Sequence, residues 1–296
     1  MIVRPRPRLW VLLTATRGSI VPAVTPRILA MAVFATGVAG LAQLWPGLFA
    51  RMSPTPFALF GIALSIFLSF RNNACFERWW EARRIWGQII YETRALARQT
   101  GDLEAPVRER LLRDACGFAH ALAAFLRDGD SAKAAGPWTA AKLNGPNICD
   151  TILADAGKAC LELAAAGRID GWRYQVLEER LSALSAAQAG CERIKTTPIP
   201  FAYSLLLNRT AYLFCLLLPF SIAGTFGYWT ALIVAVISYT FFGLDEVGNE
   251  LEDPFGLEPN DLPLDALVRT IEREVLASLG ADELPPALEP RDFVLT

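Results

Sequence analysis

The sequence has very little histidine and none of several common catalytic and nucleotide-binding motifs. Its 296 residues include a single histidine, His120, and no G-x-x-x-x-G-K-[ST], G-x-S-x-G, H-E-x-x-H or G-x-G-x-x-G motif. One histidine cannot supply the usual zinc ligand set or the usual base of a serine or cysteine nucleophile. The six cysteines form no C-x-x-C pair and all fall in portions expected to be cytoplasmic or within the membrane, so reduced thiols are expected. We therefore expect neither an enzyme nor a bound cofactor.

Charge is also missing, over three long runs. Ile28–Ala50, Met52–Phe70 and Thr210–Leu244 contain no Asp, Glu, Lys or Arg. A spanning helix needs about 20 apolar residues, so the first two runs each fit one helix. The third run fits two helices, and its stretch SIAGTFG, Ser221–Gly227, predicts a tight turn between them. The third helix must then begin before Arg209, which either snorkels to the headgroups or faces a polar interior.

The distribution of basic residues predicts the topology. Residues 1–27 hold five arginines and no acid, which favours a cytoplasmic N-terminus. Four spans then place the C-terminus on the same side, in a multi-pass protein of the inner (plasma) membrane. The predicted fold is all-α, in five regions. These are a cytoplasmic N-terminal segment (1–27), transmembrane helices 1 and 2 (28–70), a cytoplasmic helical region (71–200), transmembrane helices 3 and 4 (201–246) and an acidic cytoplasmic tail (247–296).

The tail differs in charge from the rest of the chain. Asp245–Thr296 holds fourteen acids against three arginines. A tail of this kind wraps an oppositely charged surface or forms a solvated interaction arm. One helix is predicted in it, at Leu264–Leu279, because that stretch has an apolar face.

One long helix changes from apolar to charged along its length. Neither Gly nor Pro interrupts the chain between Gly61 and Gly87. Small residues at every fourth position predict a helix-packing seam at Gly61, Ser65 and Ser69. The stripe beside it faces lipid, a partner helix or a central axis, and spacing alone leaves these alternatives open. That stripe consists of Ile62, Ile66 and Phe70.

Three motifs in order resemble the bestrophin family of ion channels, and most of all its bacterial members. They are PFALFGIALSIFLSFRNNACFERWWEARRIWG, TTPIPFAYSLLLNRTAYLF and DEVGNELEDPFG, and the resemblance extends from Arg4 to Gly256. It implies a homopentamer with four membrane helices per subunit, one axial pore and a cytoplasmic helical vestibule. It also implies a hydrophobic neck, which conducts only when wetted. The implied neck residues are Ile62, Ile66 and Phe70. A second, cytoplasmic aperture is implied at Ile199, where Pro198 and Pro200 exclude regular helix.

The chain departs from the animal members of that family at two places. Animal bestrophins follow PFG with consecutive acids that help to hold calcium, whereas here the acids are Glu258, Asp261 and Asp265, separated by prolines. Calcium needs several converging oxygens, so these three acids are weak candidates for calcium ligands. Calcium is the one bound cofactor that the resemblance makes conceivable. The neck also has an isoleucine where animal members have a second phenylalanine.

Ion selectivity must come from groups outside the apolar neck, because isoleucine has no charge preference. Arg51 is the charged residue of the predicted outer face, and five copies would repel cations there. We therefore expect passive conduction of small anions such as chloride. A monovalent-cation channel of the same family is the alternative, and a membrane-anchored scaffold is a more distant one.

A transporter would need repeats and interrupted spans, which are not seen here, and nothing in the sequence indicates nucleic-acid binding.

Overall fold

A computed structural model describes residues 1–4, 10, 14–16, 18–49 and 51–296. Ten helices make up most of that part of the chain, and its β-pairing is confined to the isolated bridges Ile2–Val294 and Arg291–Val294. The helices are α1 (Val21–Leu44), α2 (Pro46–Phe49), α3 (Thr55–Gln99), α4 (Ala105–Leu126), α5 (Ser131–Ala135), α6 (Ile148–Ala165), α7 (Gly171–Thr196), α8 (Phe201–Phe226), α9 (Trp229–Glu252) and α10 (Leu264–Ser278). The all-α prediction is confirmed.

Four of these helices are long and apolar enough to cross a membrane: α1, α3, α8 and α9. The first begins earlier than expected, at Val21, with a proline in its first turn, where the missing N–H costs no hydrogen bond. It ends at Leu44 because Pro46 cannot continue it, so Ile28–Ala50 is not one helix. The third begins before Arg209, as predicted.

The predicted tight turn between the third and fourth spans is present, but it is shorter than Ser221–Gly227. Helix α8 continues through Phe226, and only Gly227 and Tyr228 separate it from α9. Gly227 has φ of 52°, in the left-handed region that favours glycine, so it ends the helix. Gly224 has a packing role instead, because an added Cβ would lie 3.3 Å from the Phe49 backbone. Within this stretch, Gly224 therefore permits close helix contact and Gly227 makes the turn.

The chain divides into two compact units. The span unit holds Pro198–Asp253 and the described residues from 10 to 79. In it, α1, α8 and α9 contact one another around an apolar cluster that includes Val24, Leu64 and Phe242. Its surface carries large apolar side chains, such as Val33 and Val236. Exposed apolar surface of this extent is what a membrane or a partner subunit covers.

The globular unit holds Met1–Arg4, Trp80–Thr197 and Pro254–Thr296. Its core lies where α4 packs against α6 and α10, with Leu112, Phe118 and Ile152 fully buried. From Pro254 onward the acidic tail belongs to this unit, and its helix α10 packs in the core rather than extending from it. Ile271 and Val275 of α10 are buried, and its acids pair with basic residues of the same unit, as Asp265 does with Arg127 at 2.7 Å. Of the two expectations for the tail, the wrapped surface describes it.

Candidate pore-lining site

Helix α3 has one buried and one exposed face at the level of the predicted neck. The buried side chains are Leu64, Leu68, Arg71 and Cys75, spaced as one helical face. The three predicted neck residues lie on the other face, where Ile62 is 59% exposed, Ile66 49% and Phe70 60%. The single chain therefore leaves the neck residues free to meet lipid, a second subunit or an axis, and their place in a neck stays a prediction.

The exposed stripe continues beyond the neck into polar residues. At about 100° per residue, positions 62, 66, 70, 73 and 77 fall within about 80° of one another. Asn73 and Glu77, both exposed, thus extend the stripe of Ile62, Ile66 and Phe70. Glu77 forms no ion pair within the described part of the chain. Sequence reasoning stopped at Phe70 and missed them, although the same 3.6-residue period reaches both.

The predicted packing seam divides between contact and exposure. Gly61 lies against helix α8, where an added Cβ would meet the Phe214 ring at 3.1 Å. Ser65 and Ser69 are exposed, and the Ser65 hydroxyl donates a hydrogen bond to the Gly61 carbonyl at 2.8 Å. Within one chain, Gly61 lies in the kind of close helix contact that only a small residue allows. The seam at Ser65 and Ser69 stays a prediction, which concerns contact with another chain.

The proline-flanked isoleucine forms a non-helical elbow, as predicted. Helix α7 ends at Thr196 and α8 begins at Phe201, which leaves Ile199 between them. The Ile199 side chain is half-buried, and its backbone N–H donates to the Glu252 Oε1 atom at 3.2 Å. The structure thus fixes the backbone of Ile199; its role as an aperture stays a prediction.

A buried polar network, which we call the Arg71 brace, lies directly after the predicted neck. It consists of Arg71, Asn208, Asp245, Asn249 and Glu252. The Arg71 side chain is 1% exposed; its Nη1 donates to Asp245 Oδ1 at 2.9 Å and to the Asp245 carbonyl at 3.2 Å. Its Nη2 donates to Asn249 Oδ1 at 2.6 Å and lies 3.5 Å from Glu252 Oε2. Asn208 Nδ2 donates to the remaining Asp245 oxygen at 2.8 Å. Helices α3, α8 and α9 therefore meet at the buried ion pair of Arg71 and Asp245.

The sequence of α9 places the polar residues of the brace on one helix face, with a glycine beside them. Asp245, Asn249 and Glu252 are spaced i, i+4, i+7, which places them on one helix face. Gly248 lies on that face too, and an added Cβ there would lie 2.9 Å from Arg71 Nη1 and 2.7 Å from Asn72 Oδ1. This glycine therefore lets the guanidinium approach the α9 backbone. Sequence reasoning missed the brace, although this polar stripe at the end of an apolar span was its signal.

Two arginines of the span unit are exposed and form no ion pair within the described residues. Arg51 lies in the turn before α3, and Arg209 lies on α8, directly after Asn208 of the brace. An unpaired arginine within a span is costly unless it reaches headgroups, water or a partner. Both earlier alternatives for Arg209 stay predictions, as does the place of Arg51 at an outer mouth.

The three calcium candidates do not converge. Asp265 pairs with Arg127, Asp261 is buried with its Oδ2 accepting from the Glu258 N–H at 2.7 Å, and Glu258 is exposed. Within the described residues, no group of three or more His, Cys, Asp or Glu side chains is arranged to hold a metal ion.

Burial and hydrogen bonding account for the shifted pKa values of Glu272, Cys149 and Cys160 in the globular unit. Burial by itself would raise the pKa of Glu272, but hydrogen bonding and charge from His120, at 3.1 Å, together with Arg269, more than offset it, so this pKa is lowered. Burial raises the pKa of the Cys149 thiol to about 12 and of the Cys160 thiol to about 11. All six cysteines are buried and unbridged, which agrees with reduced, unreactive thiols.

Comparison with known sequences gives one consistent family. A family model described as Bacterial/Fungal Bestrophin protein matches residues 1–277. A Mesorhizobium japonicum protein named voltage-dependent anion channel-forming protein is 45% identical over 99% of this chain and 96% of its own length. An Escherichia coli protein of the same designation is 37% identical over the whole of both chains.

Comparison with solved structures agrees. A crystal structure titled as a bacterial Bestrophin homolog from Klebsiella pneumoniae has a TM-score of 0.83 and 36% identity, covering 88% of this chain and all of that one. A variant of that homolog, L177T in its own description, has the same TM-score and identity over 87% of this chain and 99% of that one. The chain described above therefore belongs to the bestrophin family, in its bacterial and fungal branch.

Proposed function

We propose that the chain is the subunit of a homopentameric channel that passes small anions, chloride among them, through a single axial pore. The observation that carries the proposal is the exposed stripe of α3. Large apolar side chains point away from the chain on this face, while the opposite face packs against the other helices of the span unit. Five copies arranged around an axis would turn this stripe into a hydrophobic neck.

The proposal also assigns roles to the other predicted residues and a place in the cell. Ile62, Ile66 and Phe70 form the neck, Ile199 lines a second aperture, and Ser65 with Ser69 contacts a neighbouring subunit. The protein lies in the inner membrane, surrounded by lipid, with both termini in the cytoplasm. Arginines in residues 1–27 support this orientation. No cofactor is part of the proposal, since Arg127 already holds Asp265 and a backbone N–H holds Asp261.

Anion preference is supported by the names of the relatives and by Arg51. One observation favours the cation alternative: Glu77 is exposed, unpaired among the described residues and on the stripe of the neck residues. Five carboxylates close to the neck would repel anions, whereas five copies of Arg51 would repel cations. The two residues therefore have opposite expected effects on selectivity.

The test is the current of purified protein in planar bilayers under asymmetric KCl. Reversal near the chloride equilibrium potential supports the proposal, and reversal near the potassium potential replaces it by the cation alternative. Arg51→Glu should shift reversal toward potassium, and Glu77→Gln should shift it toward chloride. Reversal potentials that match wild type in both variants would place both charges outside the ion path.

The neck itself is tested by replacing Ile62, Ile66 and Phe70 together by alanine. Smaller apolar walls wet more easily, so unitary conductance should rise. The matched control replaces Val33, Leu232 and Val236, which are equally exposed apolar residues on α1 and α9. Equal currents in the neck variant, the control and wild type would remove the stripe from the pore.

A further inference from the structure

Glu252 contacts Arg71, the residue that follows the proposed neck, and the backbone of Ile199 at the proposed aperture. Its Oε2 lies 3.5 Å from Arg71 Nη2, and its Oε1 accepts from the Ile199 N–H at 3.2 Å. We propose that Glu252 is a positioning residue that links the neck helix to the Ile199 elbow, so that the two constrictions change together. This inference rests on the proposed function, because it assigns a role to residues only if the chain forms a pore.

The link to the neck runs through the rigid backbone of α3. Arg71 directly follows Phe70 on an unbroken helix, so a rotation of α3 that turns Phe70 also turns Arg71. The Arg71 guanidinium is planar and holds its partners in fixed directions. Movement of the neck helix is therefore transmitted to the groups that Arg71 contacts, and Glu252 is one of them.

The link to the aperture runs through one hydrogen bond. Pro198 and Pro200 have no N–H, so Ile199 supplies the only backbone donor of this three-residue elbow. Glu252 accepts from that donor. The position of Glu252 is fixed in turn at its backbone, where its carbonyl accepts from Arg78 Nε at 2.6 Å. A shift of the Glu252 carboxylate therefore moves or releases the elbow.

Glu252 is distinct from the part of the brace that compensates the buried charge. Asp245 is 4% exposed and both of its oxygens are bonded, by Arg71 and by Asn208. The Glu252 side chain is 22% exposed and lies at the end of α9. Loss of its charge leaves the Arg71–Asp245 pair in place. The network thus has an inner pair that stabilises the helix crossing and an outer carboxylate that reaches the elbow.

The variant that separates these roles is Glu252→Gln. The glutamine carbonyl can still accept from Ile199, but its amide then presents N–H groups to the Arg71 guanidinium, a donor facing a donor. We expect mean open time to change by roughly threefold or more, within the range of coupling between contacting residues, while unitary conductance stays that of wild type. Glu246→Gln is the matched control, since it removes a carboxylate of the same helix that pairs with Arg27 instead.

A second measurement distinguishes coupling from a general loss of stability. Phe70→Ala removes the neck side chain that the link is proposed to move, so Glu252→Gln should have a much smaller effect on open time in that background. Equal effects in both backgrounds would overturn the link, as would gating like wild type in Glu252→Gln alone. Either result leaves the pore assignment intact if the triple neck variant still changes conductance. Failure of the triple variant would instead contradict the proposed function.

Discussion

Arg71 in the span unit and Asp114 in the globular unit are both ionisable residues that are almost fully buried, but their surroundings differ. Arg71 has an opposite charge at 2.9 Å and further partners on both terminal nitrogens. Asp114 accepts one hydrogen bond, from the Thr139 hydroxyl at 2.6 Å, and its Oδ2 is buried without a hydrogen bond, 4.0 Å from Arg110. Burial accordingly raises the pKa of Asp114 to about 6.

The comparison shows how the partners of a buried ionisable group offset the cost of its burial. Desolvation disfavours the ionised form of any side chain, and only nearby opposite charge and hydrogen bonds offset it. The span unit supplies both around Arg71, where three helices cross. The globular unit supplies little around Asp114, so the protonated form is favoured at a pH where most carboxyls are ionised. Removing the partners should therefore lower the stability of the protein far more at the Arg71 ion pair than at Asp114.

The largest effect is expected for Arg71→Met. This change leaves Asp245 buried without its compensating charge, at a cost of about 3–5 kcal/mol in the free energy of unfolding. Adding Asp245→Asn removes the orphaned charge and keeps an amide that can still bond Asn208, so the double variant should regain much of that loss. Thermal unfolding in detergent measures both. A double variant as unstable as Arg71→Met would mean that the guanidinium acts by packing and not by charge.

A smaller, pH-dependent effect is expected at Asp114. Its pKa in the folded protein, about 6, lies above the ordinary value of 3.8, so the folded state binds the proton more tightly than the unfolded state. Stability from this group is present below about pH 4 and is lost as pH rises to about 6, in total about 3 kcal/mol at most. Asp114→Asn should lack this loss. Parallel pH profiles for the two proteins would show that Asp114 is solvated, and the comparison would fail.

The sequence was sufficient for the elements and the family, and insufficient for the contacts between elements. Four spans, the long α3 and the elbow at Ile199 follow from charge-free runs and from proline, which act locally. The Arg71 brace joins residues about 170 positions apart, and no local pattern pairs them. The turn predicted over Ser221–Gly227 is too long because serine and glycine favour both turns and close helix packing, and the position of Phe49 decides between these at Gly224. The exposure of the α3 stripe also depends on contacts between helices, so the local sequence does not predict it.

The smallest effect is expected for an exposed ion pair, Arg94 with Glu274, which joins α3 and α10 in the globular unit. Two hydrogen bonds, of 2.8 and 2.5 Å, connect them, yet the Arg94 side chain is 56% exposed and that of Glu274 34%. Water already solvates both groups, so Glu274→Gln should cost no more than about 1 kcal/mol, and less at high salt. Unfolding of the variant and of wild type at low and high salt measures this. A loss as large as that of Arg71→Met would mean that another subunit buries the pair, because only exclusion of water makes the removal of one partner so costly.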